Sequence, residues 1–282
     1  MTVNDDVRSR TLDGLFDIRG RVAVVTGGGS GLGRAIALVL ARAGARVTCL
    51  DVNERGLRDV ADELAMDGIT VRTMVVDVVD AEEVRRAVAT AASDGSGINI
   101  LVANAGISAG TGPIHQSGRL AEIDLDRWKR VIDINLGGVL NTLRSGVEFA
   151  DPDYTRIMLM SSVSGIRAEP LVGYAYAASK AGVIALMRNA ALELAPSGIL
   201  VNAIAPSGFT TSLGDGNAVR DGIVKQFVGA SALRRPAHPD ELQGLALFLA
   251  SPASSFVTGS VFTIDGGVAV DRSSSMPYGG AE

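Results

Sequence analysis

Tyr176 and Lys180 stand four positions apart in an alanine-rich stretch with a helical pattern. A helix would place both side chains on one face, where the ammonium group favours the phenolate form of a tyrosine that otherwise titrates near pH 10. Surface pairing is the alternative, but with three lysines in the chain a chance Tyr-x-x-x-Lys is expected only about 4% of the time. Tyr174 has no such partner, because Ala178 follows it by four. The pair predicts acid/base chemistry.

Two further polar residues could complete this site. Ser162 stands 14 residues before Tyr176, at the end of a predicted strand, and its hydroxyl could hydrogen-bond a reacting oxygen. Asn135 contributes an amide within a predicted helix. Ser161 and Ser164 are interpreted as bystanders. The set suits proton exchange with an alcohol or a ketone and needs no metal.

The glycine-rich stretch from Thr26 to Gly33 separates a short apolar run, residues 22–25, from a helical pattern. Such a turn brings backbone N–H groups and the positive N-terminus of a helix to an anion, which predicts a phosphate site. The spacing does not fit G-x-G-x-x-G, and the nucleoside-triphosphate pattern fails because Arg34-Ala35 stands where Lys-Ser/Thr is required. The glycines alone are a weak signal, since a structural turn has the same composition.

Asp51 follows Gly31 by 20 residues, at the end of a predicted strand. At this separation an acidic side chain reaches the ribose hydroxyls of a dinucleotide and repels a 2′-phosphate. The alternative is a solvated carboxylate at a strand end. Ser30 is neutral, whereas a basic side chain at this position would help to bind the 2′-phosphate. Arg55 is the one residue that favours NADP. The sequence therefore predicts NAD rather than NADP.

Apolar runs and helical patterns alternate along the chain, as in a parallel sheet covered on both faces. Seven strands are predicted, at residues 22–25, 46–50, 71–76, 98–102, 156–160, 199–203 and 261–264. Helices are predicted after the glycine turn, from Asn53 to near Gly68, and at 81–92, 126–149, 174–194 and 241–250. The prediction is an α/β fold, a single doubly wound Rossmann domain with a mainly parallel seven-stranded sheet. Its ligands would gather at the carboxyl ends of the strands.

Composition narrows the function classes. The 282 residues are 47% hydrophobic, and no linker or internal repeat divides them, so one large domain is expected. A net charge of −5 and a pI near 5.2 argue against a nucleic-acid partner. The single Cys49 allows no internal disulfide, and with two histidines a zinc site is not expected. No apolar run approaches the roughly 20 residues that span a bilayer, and the N-terminus lacks the apolar core of a signal peptide, so a cytoplasmic enzyme is expected.

Several motifs stand in the order and rough spacing of one enzyme family. They are Thr26-Gly27-x-x-x-Gly31-x-Gly33, Asn104-Ala105-Gly106, Asn135, Ser162, Tyr176-x-x-x-Lys180, the run from Val201 to Pro206, and Asp265-Gly266-Gly267. In this combination the chain resembles a short-chain dehydrogenase/reductase from about Phe16 to Val268. It departs from the family twice. Ala103 replaces the first Asn of Asn-Asn-Ala-Gly, and Ser207 separates Pro206 from Gly208 where the family usually has Pro-Gly.

The resemblance implies a residue set and a domain organisation. Residues 16–268 would form the dehydrogenase domain, with a lid at 206–236, after a polar arm at 1–15 and before a tail at 269–282. The catalytic set would be Asn135, Ser162, Tyr176 and Lys180. Lys180 would also bind the nicotinamide ribose, and Asn135 would hold a water that links Lys180 to solvent. Cofactor contacts would come from Gly27, Ser30, Gly31, Leu32, Gly33, Asp51, Val52, Asp77, Val78, Asn104, Ala105, Gly106, Tyr176, Lys180, Pro206, Gly208 and Thr211.

The resemblance further implies an enzyme that interconverts a secondary alcohol and a ketone by hydride transfer, with a sugar acid, polyol or cyclic alcohol as substrate. The alternatives are a reductase of 3-oxoacyl thioesters on an acyl-carrier protein and a catalytically silent NAD-binding regulator. Substrate contacts are expected at residues 164–174 and in the lid. There an apolar stripe, better explained by lid packing, consists of Val219, Ile223, Val224, Phe227 and Val228. Small residues along two helices predict a homo-oligomer, and the resemblance implies a homotetramer. Neither nucleic acid nor membrane is expected as a partner.

Overall fold

The computed structural model describes residues 11–93, 95–210 and 231–270. Within them seven strands form one sheet: β1 Val22–Thr26, β2 Arg46–Asp51, β3 Arg72–Val75, β4 Ile100–Ala103, β5 Thr155–Met160, β6 Ile199–Pro206 and β7 Val261–Ile264. Their order is β3-β2-β1-β4-β5-β6-β7, and every pairing between them is parallel. The chain changes direction across the sheet between β1 and β4, which is where a doubly wound sheet binds its ligands. The predicted fold class is confirmed.

Eight α-helices lie in the described ranges: α1 Leu12–Leu15, α2 Gly31–Arg42, α3 Glu54–Met66, α4 Ala81–Ala91, α5 Leu125–Ile132, α6 Gly138–Glu148, α7 Tyr174–Leu194 and α8 Gln243–Ala250. Four of them begin at a side chain that accepts hydrogen bonds from backbone N–H groups of the first turn. Thr11 caps α1, Asn53 caps α3, Asp80 caps α4 and Asp124 caps α5. These caps satisfy N–H groups that have no partner within the helix, which fixes where each helix starts.

The sheet separates two apolar cores, and β1 contributes to both. Ala23 and Val25 pack into one core with Ile36 of α2, while Val22 and Val24 pack into the other with the helices of the opposite face. All five residues of β1 are buried. Because successive side chains of a strand point to opposite faces, a strand covered on both sides must be apolar at every position. This explains why the sequence shows an unbroken apolar run there.

The single helix predicted over residues 126–149 is wrong in one respect. A π-helical turn, Asp133–Gly137, interrupts it between α5 and α6, and Asn135 lies in this turn. Single π turns inside helices widen the backbone locally and are frequent at functional sites. The helix predicted at 241–250 begins instead with a 3₁₀ turn, Pro239–Leu242, before α8.

Several predicted features fall outside the described residues. These are most of the N-terminal arm, most of the C-terminal tail, Thr211 and the apolar stripe from Val219 to Val228. The domain boundaries and the lid therefore stay predictions. In the described ranges, no helix combines the length and the apolar character needed to cross a membrane.

Candidate active site

A cavity of about 500 Å³ opens at the carboxyl ends of the strands, a volume within the range of small-molecule sites. Segments that follow β1, β2, β3, β4 and β6 line it, together with α7. Of the predicted cofactor contacts, the lining includes Gly27, Ser30, Gly31, Leu32, Asp51, Val52, Asp77, Val78, Asn104, Ala105, Gly106, Tyr176, Lys180 and Pro206. The fold thus brings together residues that are up to 179 positions apart in the chain. Gly33 and Gly208 do not line it, and Thr211 lies outside the described residues.

The glycine turn has the shape of an anion cradle. Gly27 has φ +66°, a backbone conformation that favours glycine, and a Cβ there would lie 2.7 Å from Asn104 Nδ2. A Cβ on Gly33 would collide with the Gly27 carbonyl, so Gly33 allows the helix to pack against the turn. Ser30 stands at the N-terminus of α2, is exposed, and makes no capping bond with its side chain. Its hydroxyl and the first N–H groups of α2 are therefore available to a phosphate.

Thr26 and Asn104 bind the glycine turn to the segment after β4. The Asn104 side-chain amide donates to the carbonyls of Thr26, at 3.1 Å, and Gly27, at 3.3 Å. The Thr26 hydroxyl accepts from the backbone N–H groups of Asn104, at 3.0 Å, and Ala105, at 3.3 Å. Ala103, where the family has a further asparagine, is the last residue of β4 and is buried. The bonds that join the two loops therefore come from Thr26 and Asn104.

Asp51 has a structural role besides the predicted one. Its carboxylate accepts hydrogen bonds from the backbone N–H groups of Gly29, at 3.0 Å, and Asn53, at 2.9 Å. It thereby joins the glycine turn to the start of α3, and it lines the cavity beside Val52. A carboxylate has about four lone-pair positions, so these two bonds leave room to accept from ribose hydroxyls.

Tyr176 and Lys180 line the cavity, whereas Ser162 and Asn135 are not among its lining residues. Lys180 Nζ lies 5.6 Å from the centre of the Tyr176 ring and donates to the Met160 carbonyl at 2.9 Å. Ser161, the residue after β5, donates to the carbonyl of Lys180 at 2.8 Å and so holds α7 against the strand. The Ser162 hydroxyl acts on the Tyr176 phenol as a hydrogen-bond partner that lowers its pKa. The structure therefore brings Tyr176 and Lys180 together beside the end of β5, and their catalytic roles stay predictions.

Burial is the main cause of the pKa shifts of Lys180 and Tyr176. It lowers the pKa of Lys180 to about 8, since the charged ammonium group is 3% exposed. It also raises the pKa of Tyr176, and the hydrogen bond with Ser162 acts in the opposite direction. The expected lowering of the Tyr176 pKa is therefore not produced by the chain alone. The positive charge of an oxidised nicotinamide, if one were bound, would also favour the phenolate.

Asn135 is buried and its side chain is engaged by the loop after Gly106. Its Oδ1 accepts from the Ile107 N–H at 2.8 Å, and its Nδ2 donates to the Ile107 carbonyl at 2.9 Å. A Cβ on Gly106 would lie 3.1 Å from Asn135 Oδ1 and 3.5 Å from Lys180 Nζ, so the loop passes between these two side chains. Asn135 thus positions the cavity wall next to Lys180, and its role toward a water stays a prediction.

Tyr174 faces elsewhere. It is 39% exposed and lines a separate cavity of about 220 Å³ with Gly173, Arg127 and Trp128. Tyr176, two residues further on, lines the large cavity. The two tyrosines therefore line different cavities. Only Tyr176 has a lysine four residues after it, so only Tyr176 is predicted to be an acid/base.

The cavity also contains residues that the sequence reading did not select. They include Leu50, Val76, Ile107, Arg130, Ile134, Met160 and Ser161. Arg130 and Ile134 are four residues apart, the spacing that places two side chains on one face of a helix. Arg130 adds a basic side chain to a lining that also contains the acidic Asp51 and Asp77.

Ser207 does not strain the backbone. Among described residues other than glycine, only Arg234 has a positive φ, while Gly208 has φ +72°. The Ser207 N–H donates to the Ile264 carbonyl at 3.2 Å, and its buried Oγ has no hydrogen-bond partner among the described residues. The glycine that this turn needs is therefore Gly208. In the described ranges, no group of three or more His, Cys, Asp or Glu side chains could hold a metal ion.

Comparisons with known proteins find similar proteins over most of the chain. A family profile described as enoyl-(acyl carrier protein) reductase matches residues 27–269. A cis-4-hydroxycyclohexanecarboxylate dehydrogenase from Sinomonas cyclohexanicum is 38% identical over 252 residues, which cover 88% of this chain and 96% of that protein.

Two solved structures share the fold over nearly their whole length. A short-chain type dehydrogenase/reductase from Mycobacterium marinum has a TM-score of 0.84 and 33% identity, with 91% of this chain and 98% of that one covered. A protein from Beutenbergia cavernae, assigned as an NAD(P)-dependent gluconate 5-dehydrogenase, holds NADP at low occupancy. It has a TM-score of 0.81 and 36% identity, and the match covers 92% of this chain and all of that one.

Proposed function

The chain belongs to the short-chain dehydrogenase/reductase family, a family of oxidoreductases that use a nicotinamide cofactor, and on this premise we propose that it is an NAD-dependent dehydrogenase of a secondary alcohol. One observation carries the proposal. Tyr176, Lys180 and the phosphate turn around Gly31 line the same cavity, and Ser162 lowers the pKa of Tyr176 as a hydrogen-bond partner. An acid/base pair is thereby placed beside a dinucleotide cradle, as hydride transfer at an alcohol requires.

Each polar residue has a role in this proposal. Tyr176 is the acid/base and exchanges a proton with the alcohol oxygen, while Ser162 hydrogen-bonds that oxygen. Lys180 favours the phenolate of Tyr176 by its charge and binds the ribose next to the nicotinamide. Asn135 fixes the loop beside Lys180 and holds the water through which a proton reaches solvent. The nicotinamide, when bound, accepts or supplies the hydride.

Preference for NAD over NADP rests on Asp51. Its carboxylate lines the cavity at the end of β2, where it would accept hydrogen bonds from a ribose and repel a 2′-phosphate. Arg55 is exposed in the first turn of α3 and is the basic group that works against this preference. The relative from Beutenbergia cavernae holds NADP, so a similar chain can bind the phosphorylated cofactor.

For the substrate we propose a hydroxy acid or a cyclic alcohol. The names of two relatives support this class, since one acts on a hydroxycyclohexanecarboxylate and another is assigned to gluconate. The matching family profile is described as an enoyl-(acyl carrier protein) reductase, and this description supports the alternative of a thioester substrate. A net charge of −5 gives that alternative little support, because an acidic carrier protein would favour a basic surface. A silent regulator would not need a buried Lys180 beside Tyr176.

Oxidation assays with NAD and with NADP test the proposal. The panel contains cis-4-hydroxycyclohexanecarboxylate, gluconate, polyols and cyclic alcohols at mildly alkaline pH. We expect NADH formation with at least one of them, and slower NADPH formation. Reduction of 3-oxoacyl thioesters with NADPH, without alcohol oxidation, would favour the thioester alternative. Tight NADH binding without turnover on any alcohol, ketone or thioester would favour the regulator.

We further propose a homotetramer. Ala178, Ala181 and Ala185 form an exposed stripe of small side chains on α7, and Leu140 of α6 is 42% exposed. Small residues in such a stripe allow another helix to approach closely.

A further inference from the structure

Ser164 makes two hydrogen bonds to Ser162. Its hydroxyl donates to Ser162 Oγ at 2.9 Å, and its backbone N–H donates to the same oxygen at 3.3 Å. The two serines are 6% and 7% exposed. Ser164 lies in a 3₁₀ turn, Val163–Gly165, that begins at Ser162. The bonds therefore belong to a buried, locally ordered turn rather than to a mobile surface side chain.

These two bonds restrict the Ser162 hydroxyl. A serine hydroxyl has one hydrogen to donate and two lone pairs with which to accept. Ser164 provides a donor for each lone pair, so the remaining capacity of Ser162 is to donate. The Ser162 hydroxyl lowers the pKa of the Tyr176 phenol as a hydrogen-bond partner, and a partner that favours the phenolate is the donor. A donor at the phenol oxygen favours phenolate, which is the form that accepts a proton from an alcohol.

We propose that Ser164 is a positioning residue, which fixes Ser162 as a hydrogen-bond donor: its one hydrogen is directed to Tyr176 before an alcohol binds, and to the reacting oxygen once the alcohol is bound. The proposal rests on the function proposed above and replaces the interpretation of Ser164 as a bystander. Without the Ser164 hydroxyl, one lone pair of Ser162 is free to accept from the neutral phenol. That alternative bond stabilises the protonated form of the base and works against oxidation of the alcohol.

Three variants test the role. Ser164→Ala removes the donor, and Ser164→Thr keeps it. Ser254→Ala is the control for loss of a buried hydroxyl, since Ser254 is fully buried and donates to the carbonyls of Leu249 and Ser251. The control lies near Ala250, whose carbonyl accepts from Tyr154 just before β5, so it is at the opposite edge of the sheet from the cavity.

For alcohol oxidation, Ser164→Ala should lower kcat about five- to tenfold and leave KM within about twofold. The rise of kcat/KM with pH should move upward by about 0.5 to 1 pH unit, because the effective pKa of Tyr176 rises. Ser164→Thr should restore both values, and Ser254→Ala should change neither. An unmoved pH profile in Ser164→Ala, or a Ser164→Thr protein that behaves like Ser164→Ala, would overturn the proposal.

A second readout needs no turnover. The ultraviolet absorbance of tyrosinate is titrated in the native protein and in Tyr176→Phe, and the difference reports the pKa of Tyr176. The same titration is then made with Ser164→Ala and with the double variant Ser164→Ala/Tyr176→Phe. We expect the pKa of Tyr176 to be higher in Ser164→Ala than in the native protein. If the native protein oxidises alcohols but neither readout moves, the role of Ser164 is wrong and the proposed function stands. If the titration moves but no alcohol is oxidised, the proposed function is wrong and the effect of Ser164 on Tyr176 is supported.

Discussion

Lys180 Nζ lies 5.6 Å from the centre of the Tyr176 ring, one turn further along α7, and is held by the carbonyl of Met160 at 2.9 Å. This carbonyl stands at the end of β5, so the strand and the helix together fix the ammonium group beside the phenol. Burial lowers the pKa of Lys180 to about 8, which leaves the side chain mostly protonated at neutral pH. The charge that the mechanism needs is therefore present, at a cost to the folded state.

That cost predicts a dependence of stability on pH. Unfolded lysine has a pKa near 10.5, so between about pH 8 and pH 10 the unfolded chain binds more protons at Lys180 than the folded chain. The unfolding free energy contributed by Lys180 therefore rises with pH in this window and is constant below it. Lys180→Met removes this contribution. Urea unfolding of both proteins measures their unfolding free energies. From about pH 8 to pH 10 the unfolding free energy of the native protein should rise relative to that of Lys180→Met.

The native protein must be compared with Lys180→Met because Cys49 also makes stability depend on pH. Burial raises its pKa from 9.0 to about 12, so above pH 9 it lowers stability as the pH rises. This effect is common to the native protein and Lys180→Met and cancels in their difference. A difference that stays flat from pH 7 to pH 10 would mean that the pKa of Lys180 is not lowered.

The second prediction concerns the cofactor. Asp51→Asn keeps an oxygen that can accept from Gly29 and removes the charge. We expect the native protein to bind NADH more tightly than NADPH, and Asp51→Asn to narrow this gap by about tenfold, because a like-charge repulsion is lost. Fluorescence titration of both cofactors measures the gap. Asp59→Asn, which removes an exposed charge of α3, should leave the gap unchanged, and equal binding of both cofactors by the native protein would refute the role of Asp51.

The third prediction concerns the π turn. Asn135→Ala loses both hydrogen bonds to the Ile107 backbone and leaves buried polar groups without partners. The unfolding free energy should fall by about 2–4 kcal/mol, and cofactor binding should weaken because the cavity wall loosens. Asn189→Ala is the matched control, since this exposed asparagine of α7 donates only to the carbonyl one turn before it. Equal destabilisation by the two variants would contradict the conclusion that the hydrogen bonds between Asn135 and the Ile107 backbone stabilise the fold.

The fourth prediction is the assembly. Light scattering at micromolar concentration should give a mass of four chains of 29.1 kDa. Ala185→Arg places a long charged side chain in the exposed stripe of α7 and should lower the mass, whereas Asn189→Ala, on the same helix, should not. A native mass near that of one chain would count against the tetramer.

The fold was largely predictable because its signals are local. The unbroken apolar run of β1 follows from burial on both faces, and Asn53, Asp80 and Asp124 cap helices that begin close to the predicted positions. Tyr174–Leu194 was predicted with its observed bounds, since Gly173 and the turn after Leu194 delimit an uninterrupted run of helix formers.

The π turn could not be predicted from the local pattern. Its helical period is continuous with α5 and α6, and the feature that distinguishes it is the pair of bonds between Asn135 and Ile107, 28 residues away. Ser164 was interpreted as a bystander for a similar reason. The sequence shows two hydroxyls two residues apart, but only the 3₁₀ turn directs the hydroxyl and the backbone N–H of Ser164 to the Ser162 oxygen. The direction of the Tyr176 pKa shift also depends on burial, which spacing does not reveal.

The measurement that tests the central claim most directly is turnover of Tyr176→Phe beside its control Tyr174→Phe, with an alcohol that the native protein oxidises. Tyr176→Phe keeps the ring and removes the group proposed to exchange a proton, so NADH binding and folding should persist while kcat falls about 100-fold or more. Tyr174→Phe, which changes a tyrosine of the other cavity, should leave kcat within about twofold. Near-native turnover by Tyr176→Phe, or loss of turnover in Tyr174→Phe alone, would contradict the assignment of Tyr176 as the acid/base.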